Sequence, residues 1–282
     1  MLWKGRRESS NVDDRRGISG GKLAAGGGIV GVIFIIFNLF LGDGNINMND
    51  LQQVIPGNQQ EMTSEQKAAD DERASFVKVV LADTEDVWDK IFADHGETYS
   101  KPTLVLFRGS TQSACGAASS ASGPFYCPAD NDVYIDLSFA EELKNRFGAS
   151  GDFAMAYVVA HEVGHHIQYL MGTSAKMEKL RQQLSEKEYN KYSVKLELQA
   201  DFYAGVWAHY DKKMKNVIND QDIEEALTAA HAIGDDILQK QATGTVVPDA
   251  FTHGTAAQRM YWFKKGFETG DLSQGDTFNS DL

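Results

Sequence analysis

Cysteine and proline are scarce in this chain, with 2 Cys and 5 Pro in 282 residues. Two thiols cannot build a disulfide-scaffolded fold or a four-thiolate zinc site. Positive charge is also in deficit: 27 Lys and Arg stand against 40 Asp and Glu, a net charge of −13. A surface of that sign repels phosphate, so no nucleic-acid partner is expected. With 26 Gly, 42% hydrophobic residues and no internal repeat, the chain is neither collagen-like, disordered nor multi-spanning. What remains is a globular protein with ample material for a core.

Long uncharged apolar runs are absent but for one, Leu23–Leu41 (LAAGGGIVGVIFIIFNLFL). Its 19 residues are just enough to cross about 30 Å of hydrocarbon as a helix. Residues 1–22 carry six basic and three acidic residues, leaving 21 basic and 37 acidic residues for the rest. A basic flank before an apolar run, with no small-residue cleavage site after it, reads as an uncleaved signal anchor. The expected organisation is a basic cytoplasmic leader (1–22), a transmembrane anchor (23–41), a polar linker (42–71) and a globular domain (72–282). The expected place is the inner or plasma membrane, single-pass, with the domain periplasmic or extracellular.

In the globular part, Ser75–His95 has apolar residues at helical spacing, and TLVLF (103–107) and VYIDL (133–137) read as short strands. Helices are expected over 139–147, 152–170, 185–213, 220–241 and 255–270. Ser185 and Glu188 form a capping-box pattern at the start of one of them. The class is α+β, mostly helical with a small sheet.

The chemistry is concentrated in HEVGH, residues 161–165. On a helix, positions i and i+4 share a face, so His161 and His165 can hold one zinc ion. Glu162 is rotated about 100° from His161, where its carboxylate can take a proton from an attacking water and pass it to a leaving amine. Chance would produce such a motif in roughly one chain in a hundred of this composition. A third ligand is still needed. The elongated HExxHxxGxxH pattern fails, because Gln168 and Met171 stand where Gly and His would be. ELQAD (197–201) offers Glu197 as ligand, with Asp201 hydrogen-bonding the outer nitrogen of His161. Asp201 and His209 are the rival ligands.

An oxyanion needs a further donor, and His253 and Arg259, in a loop and the helix after it, are candidates that can both point at the zinc. Cys115 and Cys127 bracket a Gly/Ser/Ala-rich stretch. In an extracytoplasmic domain they are expected to form a disulfide. The strand 134–137 is expected to pair with a substrate backbone.

The segments CGAAS, GPFYCPADNDVYIDLSF, AHEVGHHIQ, ELQAD, AIGDD and FTHGTAAQR, with the leader and anchor, resemble the putative neutral zinc metallopeptidase family of bacteria nearly end to end. The resemblance implies a zincin-like fold, zinc held by His161, His165 and Glu197, and Glu162 as catalytic residue. It supplies a class but no substrate. The family pattern usually has Cys where this chain has Phe202, and a second Cys where it has Gly275 or a neighbour. If those pair in relatives, this chain has lost both partners together. FTHG with Arg259 is also similar to the THP…R segment of membrane-associated zinc peptidases. The expected activity is therefore hydrolysis of peptide or protein substrates by a membrane-anchored zinc peptidase. The rival is a non-catalytic, zinc-stabilised envelope assembly or chaperone factor.

Overall fold

Thr63 accepts a hydrogen bond from the Gln66 amide, and the Gln66 side chain accepts one from the Thr63 amide. This capping box starts the first helix well before its apolar spacing begins. In the computed structural model, which describes residues 1–17 and 62–281, helix α1 runs Ser64–Asp94. It therefore takes in residues 64–71 of the expected linker, and the boundary expected at Glu72 falls inside a helix. The remaining elements are α2 (Phe139–Asn145), α3 (Asp152–Leu170), α4 (Thr173–Gln183), α5 (Glu186–Lys215), α6 (Asp220–Ala232), α7 (Asp235–Thr243) and α8 (Ala256–Thr269). One expected helix, 220–241, is thus two, parted at Ile233 and Gly234.

The sheet is small. Strands β1 (Val12–Asp14), β2 (Thr103–Phe107), β6 (Asp132–Asp136) and β5 (Phe125–Cys127) lie in the order β1-β2-β6-β5. The first three are parallel, and β5 is antiparallel to β6. Strands β3 (Ser110–Ser113) and β4 (Gly116–Ser119) form a separate hairpin. The expectation that 134–137 offers an edge to substrate is corrected: β6 has β2 on one side and β5 on the other. Among the described residues the outer strand on that side is β5. Cys115 and Cys127 are joined, which ties the end of the hairpin to β5.

The N-terminal residues overturn the expected topology. Val12–Asp14 pairs in register with Leu104–Leu106. Arg6 grips the buried Asp83 with two hydrogen bonds of 2.7 and 2.6 Å, and Arg16 reaches Asp70 at 2.7 Å. Ser9 and Asn11 both donate to Glu85. A leader hydrogen-bonded into the domain's sheet and first helix cannot lie across a membrane from that domain. A cytoplasmic leader with an extracytoplasmic domain is therefore not retained, nor is a single-pass membrane placement. The apolar run 23–41 itself lies outside the described residues, as does the linker from 42 to 61. Among the described residues no helix is long and apolar enough to cross a membrane. The leader's positive charge has another cause: Arg6, Arg7 and Arg16 complement acidic residues of α1.

Helix α3 is apolar on nearly every side and runs through the core, with Phe153, Tyr157, Val159, Val163 and Ile167 fully buried. Its first turn lacks a side-chain cap of its own, and Glu225 of α6 accepts from the Phe153 amide instead. Phe153 stacks on Trp207 of α5, ring centroids 5.7 Å apart. Helices α5 and α8 cross at reciprocal glycines. A Cβ on Gly205 would lie 2.0 Å from the Phe263 carbonyl oxygen, and one on Gly266 2.1 Å from that of Phe202. The two backbones therefore touch, and no other residue fits at either position. This contact sets where Asp201 and Arg259, one turn before Gly205 and two before Gly266, face each other.

Candidate metal centre

His161 and His165 sit one turn apart on α3, with ring centroids 4.8 Å apart and planes nearly perpendicular. Helix α5 approaches α3 where Gly164 meets Ala200; a Cβ on Gly164 would lie 2.9 Å from the Ala200 carbonyl oxygen. That close approach lets Glu197, one turn before Ala200, reach both rings. Its Oε2 is 3.1 Å from His161 Nε2 and its Oε1 is 3.5 Å from His165 Nε2. Ligand atoms of the three residues all lie within 4.8 Å of one another, a grouping that can hold a metal ion. Gly164→Ala is expected to push the helices apart, costing about 1–3 kcal/mol and weakening metal binding. Denaturant titration and chelator competition check this, and a variant with unchanged metal affinity would refute it.

The other nitrogen of each ring is also committed. His161 Nδ1 is 2.8 Å from Asp201 Oδ1, and His165 Nδ1 is 2.8 Å from Gln168 Oε1. Asp201 is a carboxylate and can only accept. The Gln168 amide nitrogen donates elsewhere, to the Leu196 carbonyl at 2.7 Å, so its oxygen faces His165. Both Nδ1 atoms therefore carry a hydrogen, and both Nε2 atoms point at the Glu197 carboxylate, where a bound cation would take the place of a proton. Three electron-rich groups then converge on one point. They repel unless a proton or a cation lies between them, and two imidazoles with a carboxylate suit zinc while leaving one position open.

Asp201 is fully buried and saturated. It accepts from His161, from the Tyr157 hydroxyl at 2.5 Å, and from Arg259 Nε and Nη2 at 2.9 and 3.0 Å. Burial would raise its pKa, but the Arg259 guanidinium and His161 hold it down at about 2. Burial likewise pulls His161 down, and in the chain by itself Asp201 and Glu197 more than reverse this, to about 10. For Glu197, burial is outweighed by His165 and His161, which keep its carboxyl well below the usual range. The metal-capable group thus holds an ionised carboxylate at the wall of the core, where the Glu197 side chain keeps 15% exposure.

Glu162 is 7% exposed and lies near enough to His165 to favour its charged form. His253 precedes Gly254, which lies against Val194 and Leu198 of α5 on either side of Glu197, and a charge on His253 favours the ionised form of that carboxylate. Asp235 holds it there by accepting from the Thr252, His253 and Gly254 amides and pairing with His253 Nδ1 at 3.2 Å. Arg259 differs from expectation. It is 2% exposed and lies behind His161, bonded to Asp201, Tyr157 and the Ile233 carbonyl, because the α5–α8 crossing directs it there. The rival ligand His209 is used elsewhere, with Nδ1 2.8 Å from the Phe267 carbonyl. Asp201 is likewise spent on Arg259 and Tyr157. His166 bonds the Ser100 carbonyl and the Tyr126 hydroxyl, tying β5 to α3.

Two members of the site escaped the sequence reading, Tyr157 and Gln168. Both had a signal: Tyr157 is four residues before His161 and Gln168 three after His165, on the faces of those histidines.

The profile of a family described as putative neutral zinc metallopeptidase matches residues 1–278. Uncharacterized protein YpfJ of Escherichia coli (strain K12) is 49% identical over 288 aligned positions, covering all of both chains. Uncharacterized protein Rv2575 of Mycobacterium tuberculosis (strain H37Rv) is 42% identical over 215, covering 73% of this chain and 72% of its own. No solved structure matches. Phe202 and Gly275 meet in space: a Cβ on Gly275 would lie 2.5 Å from the Phe202 ring.

Proposed function

Since the chain belongs to the putative neutral zinc metallopeptidase family, we propose that it is a zinc-dependent peptidase acting on peptide or protein substrates. His161, His165 and Glu197 would hold the metal, and Glu162 is the general base. The reading is carried by one observation: with both Nδ1 atoms committed to Asp201 and Gln168, two imidazole Nε2 atoms and a carboxylate converge on one point. Zinc bound there would supply Lewis-acid polarisation of the scissile carbonyl and lower the pKa of a water.

The protein's own groups do the rest. Glu162 takes the proton of the attacking water and delivers it to the leaving amine nitrogen. Asp201 orients His161 and raises its basicity, and Gln168 does the same for His165. Arg259 and Tyr157 act through Asp201, keeping it ionised and fixed, and are positioning residues. His253, held by Asp235 on the Glu197 side, is the donor for the developing oxyanion.

A metal kept for stability alone takes a fourth protein ligand, whereas only three metal-capable groups cluster among the described residues. That supports catalysis over the non-catalytic factor. The test uses purified full-length protein, assayed for zinc content and for cleavage of an unfolded protein. Cleavage is expected to vanish with a chelator and return on adding zinc. Stoichiometric zinc without cleavage of a broad set of unfolded proteins would overturn the peptidase reading and leave the rival.

A further inference from the structure

Gln168 does more than orient His165. Its amide nitrogen also donates to Gln199 Oε1 at 3.2 Å, and the Gln199 amide nitrogen donates to the Gly275 carbonyl at 3.0 Å. Gln168 is fully buried and Gln199 nearly so. The hydrogen bonds all run one way: His165 donates to Gln168, Gln168 to Gln199, and Gln199 to Gly275. Each amide offers its oxygen to the member before it and its nitrogen to the member after. Withdrawing the Gly275 carbonyl leaves a buried amide unsatisfied, and a turned Gln199 would face Gln168 with the wrong end.

Gly275 belongs to the segment after α8, and that segment is fastened to α5 close to the third ligand. Lys195, two residues before Glu197, donates from Nζ to the Phe278 and Ser280 carbonyls at 2.8 and 3.2 Å. The Thr277 hydroxyl donates to the Lys195 carbonyl at 2.6 Å. Between this segment and helices α4 and α5 lies a cavity of about 410 Å³, lined by Met171, Gln199, Tyr203, Leu272 and Phe278. Packing is looser on that side, and the segment is held by these polar contacts together with the close approach of Gly275 to the Phe202 ring and the packing of Leu272 on the core.

We infer that the segment Leu272–Ser280 is a brace for the metal centre, with Gln199 and Gln168 as positioning residues that transmit its docking to His165. The inference rests on the metal reading above. Docking and metal affinity are then linked reciprocally: the docked segment strengthens metal binding, and bound metal holds the segment in place.

The test uses the full chain with zinc alone as probe. Zinc affinity is measured by chelator competition for wild type, Gln168→Met, Gln199→Met and Lys195→Met. Hydrogen exchange of residues 272–280 is followed with and without zinc. Gln168→Met is expected to weaken zinc binding by about 10–100-fold. Gln199→Met and Lys195→Met, which touch no ligand, are expected to weaken it by about 5–20-fold, with metal-free melting temperatures near that of wild type. In wild type, zinc is expected to slow exchange across 272–280. Wild-type affinity in both Gln199→Met and Lys195→Met overturns the brace while leaving the metal site standing, and so does exchange in 272–280 that ignores zinc. A wild-type chain that binds no zinc overturns the metal reading itself. Should a variant fail to fold, the wild-type exchange measurement still decides.

Discussion

Glu162→Gln is expected to lower peptide hydrolysis by about 10²–10⁴-fold while leaving bound zinc and stability nearly unchanged. The substitution keeps the size and shape of the side chain and removes its ability to take a proton. Glu162 is neither a member of the metal-capable group nor a partner of Asp201. Its loss therefore leaves no buried charge unpaired and frees no metal ligand. Turnover of an unfolded protein substrate and zinc content of the same sample are read together. Zinc lost along with activity would move Glu162 into the ligand set, and retained activity would remove it from the reaction.

Arg259→Met is expected to cost about 3–5 kcal/mol at neutral pH, because it leaves the buried Asp201 carboxylate without its counter-charge. Asp201 is 0% exposed and takes two of its hydrogen bonds from this guanidinium. The pH dependence carries the sign. In the wild type Asp201 is depressed to about 2 from 3.8, so its contribution is present above about pH 3.8 and is lost as pH falls through about 2. Without Arg259 the largest remaining influence is burial, which raises the carboxyl. The variant then gains relative stability as pH falls and the carboxyl protonates, so its deficit should be larger at pH 7 than at pH 5. Arg259→Lys should recover part of the loss, since it keeps the charge and forfeits the two-pronged contact. Denaturant titrations at the two pH values check this, and an equal deficit at both would refute the assignment of Arg259 to Asp201.

The leader shows how a local signal can mislead. Six basic residues before a long apolar run fit the charge pattern of a membrane anchor. Arg6, Arg7 and Arg16 instead have partners on α1 in Asp83, Glu85, Asp86, Asp70 and Asp71. Strand β1 was equally hidden, being three residues long with two aspartates. Short, charged strands are how sheet edges avoid pairing with other chains, and by composition they look like loops. What marks Val12–Asp14 as a strand is its partner at 104–106, about 90 residues away.

The sequence by itself determined whatever depends on the pitch of one helix. His161 and His165 share a face, Glu162 sits beside them and Glu197 and Asp201 are one turn apart, because 3.6 residues per turn is a local property of the backbone. The tertiary structure decided between the ligands that the sequence left as rivals. The contact at Gly164 and Ala200 turns Glu197 toward the ring nitrogens that face the open site, and Asp201 toward the far side of His161. The crossing at Gly205 and Gly266 places Arg259 behind Asp201 rather than beside the metal-capable group. Those arrangements are set by how closely two backbones approach across about 40–100 residues of chain, a distance over which helical periodicity carries no information.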